Sequence, residues 1–274
     1  MAKPKLKKNP HSKAMGRKFE RLTDLMYTLR SRDGCPWDRA QSVKDLKQYV
    51  LEESYEVLEA MDEENLESLS EELGDLMFQI VFLGQMMQER KLFTILEVLE
   101  QVTDKMIGRH PHVFGGVRAE SPEQALESWE AMKSRGVGRM PAKKSVLEGV
   151  PKNLPALLQA YLISSKVARV GFDWETVDQV WEKFEEEMKE FHTAPSRKRK
   201  EEEIGDLFFT LVNIARKSKI NPEDALRMTN AKFRRRFEQL ERKVQSQNRK
   251  IKDLKMEEMD TMWEEVKVRM KRRS

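Results

Sequence analysis

Residues 52–56 read Glu-Glu-Ser-Tyr-Glu, and residues 71–75 read Glu-Glu-Leu-Gly-Asp. Both lie in segments whose apolar residues recur every three to four positions, which is typical of amphipathic α-helices. A related pair returns later, as Glu-Glu-Met-Lys-Glu at 186–190 and Glu-Glu-Ile-Gly-Asp at 202–206. The same periodicity predicts four helices, over residues 42–62, 66–89, 176–192 and 198–218.

The return of the acidic pair belongs to a longer internal repeat. Glu187 follows Glu53 by 134 positions, and Asp206 follows Asp75 by 131 positions. Further landmarks recur in the same order: Lys105 with Arg109 returns as Lys232 with Arg236, and Trp129 returns as Trp263. Helices of this kind joined by short loops pack as antiparallel bundles. The sequence therefore predicts an all-α protein with two tandem copies of one helical-bundle domain.

Glycine and proline crowd together between Gly136 and Pro155, and at this density they break helices. We place the domain seam there, with an N-terminal domain over 18–141 and a C-terminal domain over 142–274. Residues 1–17 are rich in lysine and contain no acid, so we expect a basic, disordered arm.

The composition restricts the class of protein. Of the 274 residues 39% are hydrophobic and 36% charged, which supplies a core and a heavily charged surface. No apolar run approaches the ~20 residues of a membrane span, and the N-terminus lacks the apolar stretch of a signal peptide. The single Cys35 cannot form an intrachain disulfide, which favours a reducing compartment. We therefore expect a cytoplasmic protein without membrane association.

The spacing of the acidic residues indicates a cation site. Glu53 and Glu56 lie on one face of a helix, as do Glu72 and Asp75, and antiparallel packing would bring the four carboxylates together. Like charges at close range require compensation, and Mg²⁺ prefers carboxylate oxygens and usually also takes phosphate oxygens of its substrate. The sequence thus predicts a Mg²⁺ site that acts on a phosphate compound. The corresponding ligands of the second half are Glu187, Glu190, Glu203 and Asp206.

The two halves differ at one position beside this site. Lys183 lies four residues before Glu187, and the aligned position before Glu53 is Tyr49. Residues four apart share a helix face, so we expect Lys183 to face bound phosphates. We therefore predict that the second half holds the principal catalytic site.

Further short motifs identify a family. They lie at residues 34–38 (Gly-Cys-Pro-Trp-Asp), 109–115 (Arg-His-Pro-His-Val-Phe-Gly), 147–151 (Leu-Glu-Gly-Val-Pro) and 170–174 (Val-Gly-Phe-Asp-Trp). With these motifs and the acidic repeat, the chain resembles the MazG family of all-α nucleoside triphosphate pyrophosphohydrolases. The resemblance covers roughly residues 20–270. The resemblance implies Mg²⁺-dependent hydrolysis of a standard or aberrant nucleoside triphosphate to the monophosphate and pyrophosphate. It also implies a homodimer built from interlocked helices.

The resemblance implies roles for basic and aromatic side chains as well. Lys232 and Arg236 match positions that approach the phosphates and take part in catalysis, and Lys105 and Arg109 are their first-half counterparts. Trp263 is a candidate for stacking on the base. One carboxylate beside the metal ligands, Glu186 or Glu52, is expected to orient or deprotonate the attacking water; the sequence does not decide which.

Two other interpretations remain at this point. A non-enzymatic helical interaction protein could bind nucleic acid through the basic ends and the run Arg197–Lys200, although solvated tails explain those charges more simply. A related all-α hydrolase with a narrow substrate, such as a dUTPase or a phosphoribosyl-ATP pyrophosphohydrolase, would use similar acids.

Overall fold

The computed structural model describes residues 6–134 and 145–271, and these residues contain helices and loops but no strand. The all-α prediction is therefore confirmed. No helix within the described ranges is both long enough and apolar enough to cross a membrane. In chain order the α-helices are α1 Ser12–Arg30, α2 Pro36–Ala40, α3 Leu46–Asp62, α4 Leu66–Glu89, α5 Ile95–Arg109, α6 Pro111–Phe114, α7 Pro122–Ser134, α8 Ala156–Ala168, α9 Val177–Thr193, α10 Arg197–Lys217, α11 Pro222–Ser246 and α12 Met256–Lys271, with a short 3-10 helix at Ile251–Asp253.

The chain divides into two compact units, Met1–Lys143 and Lys144–Ser274. The predicted seam at 141/142 itself lies outside the described residues. In the first unit α3 packs along α4, and α1 packs against the other side of the pair through α4. In the second unit α9 packs along α10, and α8 packs against α10. Each unit therefore contains a helical hairpin that carries the acidic stretches, supported by one preceding helix.

Local capping explains where the hairpin helices begin. Asn65 Oδ1 accepts a hydrogen bond from Ser68 N (3.1 Å) at the start of α4, and Ser196 Oγ accepts one from Arg199 N (3.3 Å) at the start of α10. Such caps satisfy backbone donors that the first turn leaves without a partner. Helix α3 begins at Leu46 and not at the predicted residue 42, because Ser42 donates from N and Oγ to Asp45 Oδ2 and closes a separate turn.

The prediction of a disordered arm over residues 1–17 is wrong in part. Residues 1–5 lie outside the described residues, but α1 already begins at Ser12. Phe19, Leu22 and Met26 recur at helical spacing and pack into the core of the first unit, where Met26 is fully buried. That apolar stripe stabilises the whole helix, and the helix extends N-terminally into the basic segment.

The core of the first unit lies between α1, α3 and α4. It consists of the buried residues Met26, Leu46, Val81, Phe82 and Met86. In α4 this apolar segment follows directly after the acidic stretch 71–75. Core packing at one end of the hairpin therefore fixes the register of α3 on α4, and with it the relative position of the carboxylates at the other end.

Candidate functional site

The α3–α4 hairpin brings three of the predicted acids of the first unit together. Glu53 and Glu56 on α3 and Glu72 on α4 each offer a carboxylate oxygen, and these oxygens all lie within 4.8 Å of one another. We call these residues the first cluster. Three carboxylates at this separation form an oxygen-rich group suited to a hard divalent cation.

Neutral donors hold two of these carboxylates. Gln79, which is 9% exposed, donates from Nε2 to Glu53 Oε1 at 3.3 Å, and Ser68 Oγ lies 3.4 Å from Glu72 Oε1. Neither Gln79 nor Ser68 was recognised from the sequence, although each lies four residues from a predicted ligand on α4. They orient the carboxylates without neutralising them.

The first cluster carries uncompensated negative charge. Desolvation of the carboxyl group, followed by the charge of Glu53, raises the pKa of Glu56 above its ordinary value. Desolvation and the charge of Glu56 raise the pKa of Glu72 in the same way. A bound cation would reverse both effects, because it stabilises the ionised carboxylates.

The α9–α10 hairpin assembles the equivalent group in the second unit. Glu187 and Glu190 on α9 and Glu203 on α10 place one carboxylate oxygen each within 4.8 Å of the others. We call these residues the second cluster. Glu187 is only 6% exposed and Glu203 only 2%. Carboxylates buried to this extent need a partner, because burying an unpaired charge is costly.

Two basic side chains supply that partner. Lys183 Nζ lies 2.7 Å from Glu187 Oε1 and 2.9 Å from Glu186 Oε1. Arg199 donates to Glu203 Oε1 and to Glu202 Oε2, at 2.6 Å each. Hydrogen bonds to these acids raise the pKa of both bases, chiefly through Glu187 for Lys183 and through Glu202 for Arg199. The prediction that Lys183 lies on the face of the acidic cluster therefore matches its position, but here its partner is a carboxylate.

Arg199 is the basic residue that sequence reasoning missed. It lies four residues before Glu203, the spacing at which an Arg and a Glu meet on a helix surface. Within the run Arg197–Lys200 it was interpreted as part of a solvated basic stretch. Arg197 pairs with Glu201 at 3.0 Å, so at least two of the four bases are already engaged by acids of the same helix.

Asp75 and Asp206, predicted as fourth ligands, are not among the carboxylates that lie within 4.8 Å of one another. Each remains close enough to act electrostatically: Asp75 contributes to the raised pKa of Glu56 and Glu72, and Asp206 to that of Glu203. Both aspartates are exposed, and the adjacent Gly74 and Gly205 have open space where a Cβ would lie. Each aspartate is therefore solvent-exposed and lies beside an uncrowded stretch of backbone.

The predicted phosphate-binding bases lie on α5 and α11. In the described part of the chain none of Lys105, Arg109, Lys232 and Arg236 forms an ion pair with either cluster. Arg109 is 5% exposed, and its Nε and Nη2 atoms are buried without a hydrogen-bond partner. The buried Nε of Arg236 also lacks a partner. Two guanidinium groups at equivalent repeat positions thus have buried donors for which the described residues supply no acceptor.

The repeated tryptophans contact these same elements. Two cations lie over the Trp129 ring on α7: Arg109 Cζ is 5.6 Å and Lys133 Nζ 4.5 Å from the ring centroid. Trp263 on α12 packs on the cluster Leu240–Val244–Leu254, and its ring centroid lies 5.1 Å from that of Phe233. Part of the Trp263 side chain therefore packs in the core of the second unit. Stacking of its remaining face on a nucleotide base stays a prediction.

Comparison with known proteins identifies a matching family and similar full-length relatives. The MazG nucleotide pyrophosphohydrolase domain family matches residues 41–114, which include the whole first cluster. A nucleoside triphosphate pyrophosphohydrolase/pyrophosphatase MazG of Thermotoga maritima is 41% identical over 255 residues, 93% of this chain and 98% of its own length. A nucleoside triphosphate pyrophosphohydrolase of Escherichia coli K12 is also 41% identical over 255 residues, covering 91% of this chain and 97% of its own length.

The crystal structure of a mazG-related protein from Thermotoga maritima matches 42% of this chain and 97% of its own, at 29% identity. Its TM-score of 0.36 is too low for a conclusion about the fold. The identity to full-length relatives is sufficient by itself, since it extends across both hairpins. The chain belongs to the MazG family of nucleotide pyrophosphohydrolases.

Proposed function

We propose that the chain hydrolyses nucleoside triphosphates to the monophosphate and pyrophosphate in a Mg²⁺-dependent reaction. The observation that carries the proposal is the pair of equivalent glutamate clusters, each with three carboxylate oxygens within 4.8 Å. Family membership supports the reaction class, a hydrolysis of an acid anhydride. It also favours the hydrolase over the non-enzymatic interaction protein considered from the sequence.

The residues fit Mg²⁺. All candidate ligands are carboxylate oxygens, which this hard cation prefers, and in the first cluster the raised pKa of Glu56 and Glu72 reflects repulsion that a cation would relieve. Glu53, Glu56 and Glu72 would hold it there, with Asp75 completing the set. Glu187, Glu190, Glu203 and Asp206 would do so in the second unit. The bound ion supplies charge neutralisation along the triphosphate.

The bases of the second unit would bind the phosphates. Lys183 and Arg199 are only partly buried and reach their glutamates from the solvent side, so a triphosphate can compete for them. Glu186, which pairs with Lys183 at 2.9 Å, would then be released and able to accept a proton from the attacking water. Glu52 occupies the equivalent position of the first unit.

The remaining substrate contacts would come from α5, α7, α11 and α12. The buried unpaired donors of Arg109 and Arg236 require an acceptor, and phosphate oxygens match the forked geometry of a guanidinium group. Lys105 and Lys232 lie one turn before these arginines, and Lys232 is exposed. Phe233, Phe237 and neighbouring polar residues line an open groove of about 450 Å³ on α11, next to Trp263. This groove is where we place the base.

We also propose a homodimer. Apolar side chains of the α3–α4 hairpin are half exposed in the single chain, among them Leu51 (57%), Leu73 (49%) and Met77 (48%). On α10 of the second unit Phe208 is 54% exposed. Contiguous apolar faces of this kind mark association sites, and a second copy of the chain offers matching faces. A cytoplasmic location is consistent with the single free Cys35, which a reducing compartment would keep in the thiol state.

The test is a substrate panel. Purified chain is incubated with ribo-, deoxyribo- and base-modified triphosphates and with phosphoribosyl-ATP, with Mg²⁺ or with a chelator, and pyrophosphate and the monophosphate product are quantified. We expect equal amounts of the two products with Mg²⁺ and none with the chelator. Undiminished hydrolysis in the chelator would overturn the metal assignment, and hydrolysis restricted to dUTP or to phosphoribosyl-ATP would replace the broad substrate class by one of the narrow alternatives.

A further inference from the structure

The two glutamate clusters differ in their counter-ions. Lys183 and Arg199 each lie four residues before a buried ligand of the second cluster, and each forms an ion pair with it, at 2.7 Å to Glu187 and 2.6 Å to Glu203. The repeat places Tyr49 and Ser68 at the equivalent positions before Glu53 and Glu72. Neither Tyr49 nor Ser68 carries a positive charge at neutral pH. In the described residues no lysine or arginine forms an ion pair with the first cluster.

The acidic residues themselves are matched between the halves. Six carboxylates recur in both hairpins, namely the four predicted ligands and the acid directly before the first ligand of each helix. They are Glu52, Glu53, Glu56, Glu71, Glu72 and Asp75 in the first unit, and Glu186, Glu187, Glu190, Glu202, Glu203 and Asp206 in the second. The second hairpin also carries Glu185 and Glu201, where the first has Leu51 and Ser70. Among the described residues, Lys183 and Arg199 are the cations that contact a ligand of either cluster directly.

We infer that Lys183 and Arg199 are internal counter-ions that couple metal binding at the second cluster to triphosphate binding, whereas the first cluster takes a divalent cation in the absence of nucleotide. The inference rests on the proposed metal role of both clusters and adds an order of binding to it. In this binding scheme, Lys183 and Arg199 make metal binding at the second cluster depend on a bound triphosphate.

Two of the three carboxylates of the second cluster are both buried and paired with a cation, and only Glu190 is exposed. Glu187 and Glu203 are buried, and each already has a cation at hydrogen-bonding distance. A divalent ion competes with those cations for the two carboxylates, and it gains less where charged hydrogen bonds to Glu187 and Glu203 are weakened or lost on metal binding. A triphosphate lowers this cost, because its oxygens accept Lys183 and Arg199 while the metal takes the carboxylates. Metal and nucleotide therefore strengthen one another's binding, and by linkage the effect is reciprocal.

The first cluster has neutral polar neighbours in place of cations. Its polar neighbours, the Gln79 amide and the Ser68 hydroxyl, are neutral, so a divalent ion displaces no charge there. Binding relieves repulsion among Glu53, Glu56 and Glu72 instead. The first cluster is thus expected to hold the tighter metal site of the nucleotide-free protein.

The experiment measures Mn²⁺ binding to the full chain by the loss of the electron paramagnetic resonance signal of free Mn²⁺. Titrations are run without nucleotide and with a triphosphate analogue whose α–β bridging oxygen is replaced by a methylene group. Glu53→Gln/Glu72→Gln removes the first cluster, and Glu187→Gln/Glu203→Gln removes the second, so each class of site is assigned. We expect the tight sites of the nucleotide-free protein to disappear with the first pair of changes, and the analogue to tighten only the sites lost with the second.

Removal of the counter-ions supplies the decisive variant. Lys183→Met/Arg199→Met should tighten Mn²⁺ binding at the second cluster without nucleotide by about tenfold or more, since charged hydrogen bonds that compete with the metal are lost. The same change should abolish the tightening by the analogue. Lys189→Met is the matched control, because Lys189 lies on the same helix, is exposed and forms no ion pair in the described residues. The reverse exchange, Tyr49→Lys/Ser68→Arg, should weaken the first cluster and make its metal binding depend on the analogue.

The outcomes separate the inference from the function on which it rests. Equal Mn²⁺ affinity of the two clusters without nucleotide, or unchanged affinity in Lys183→Met/Arg199→Met, overturns the counter-ion role while the metal sites stand. The milder Lys183→Gln/Arg199→Gln, with thermal melting of every variant, shows whether an unchanged affinity comes from a folded protein. Absence of saturable Mn²⁺ binding at either cluster, with and without the analogue, overturns the proposed metal sites themselves.

Discussion

Replacement of the two repeat aspartates one at a time tests how the halves divide the reaction. Asp206→Asn and Asp75→Asn each remove one negative charge at nearly constant volume, and both residues are exposed, so packing should survive. We expect Asp206→Asn to abolish most triphosphatase activity and Asp75→Asn to remove much less. The reason is the pair of cations, Lys183 and Arg199, which only the second unit can present to a triphosphate.

The size of the difference follows from those two side chains. A hydrogen bond from a charged donor contributes roughly 1.5–3 kcal/mol, and the lower end applies because Lys183 is 35% exposed and Arg199 54% exposed. About 1.5 kcal/mol for each contact corresponds to about tenfold in rate, if both contacts act in the transition state. The first unit should therefore reach about a hundredth of the activity of the second. Lys183→Met alone should cost about one decade.

The assay is the initial rate of pyrophosphate release at saturating Mg²⁺, with each variant first shown to melt and to sediment like the parent chain. The Asp206→Asn variant should retain about one hundredth of the activity of the parent chain, and this remainder would come from the first unit. If both variants lost activity equally, the second unit would not be the principal catalytic site. Inactivation by Asp75→Asn alone would place the main site in the first unit and refute the role given to the two cations.

Three further outcomes are expected. Light scattering at micromolar concentration should give the mass of a homodimer, and a fully active monomer would contradict the role assigned to the exposed faces of α3, α4 and α10. The pKa values of Glu56, Glu72 and Glu203 are raised above the ordinary value of 4.5, so the folded state without metal binds more protons than the unfolded state in this pH window. The free energy of unfolding should therefore fall as pH rises from 4.5 through the folded-state pKa values of these groups. Denaturant titrations should show this slope without metal and should no longer show it with saturating Mg²⁺. Phe82→Ala, at a 2% exposed core position, should lower the free energy of unfolding by about 3–5 kcal/mol, whereas Phe208→Ala on the exposed face of α10 should cost a single chain far less.

Much of the fold could be predicted because it rests on local periodicity. The helices predicted at 66–89 and 198–218 are observed as α4, Leu66–Glu89, and α10, Arg197–Lys217. The N-terminal extension of α1 could not be predicted from charge, because its apolar stripe around Met26 forms a helix only when packed on α4. Tertiary packing decided that element, and the basic residues at its start have no strong preference against a helix.

The site shows the same limit. Helical spacing predicted that the glutamates of each half would meet, and in both units three of them do. Spacing also placed Lys183 on the acidic face, but it could not decide whether a carboxylate or a phosphate would be its partner, since that depends on which ligands are present. Arg199 was missed for a different reason: its four-residue separation from Glu203 was visible, but the surrounding run of bases suggested a solvated surface.

The position of the bond that is broken distinguishes the proposed reaction from other triphosphate hydrolyses. ³¹P nuclear magnetic resonance of a nucleoside triphosphate incubated with the chain and Mg²⁺ resolves the two possible product pairs before any secondary hydrolysis. We expect nucleoside monophosphate and pyrophosphate in equal amounts, with no reaction when a chelator removes the metal. Nucleoside diphosphate and orthophosphate as the first products would contradict it.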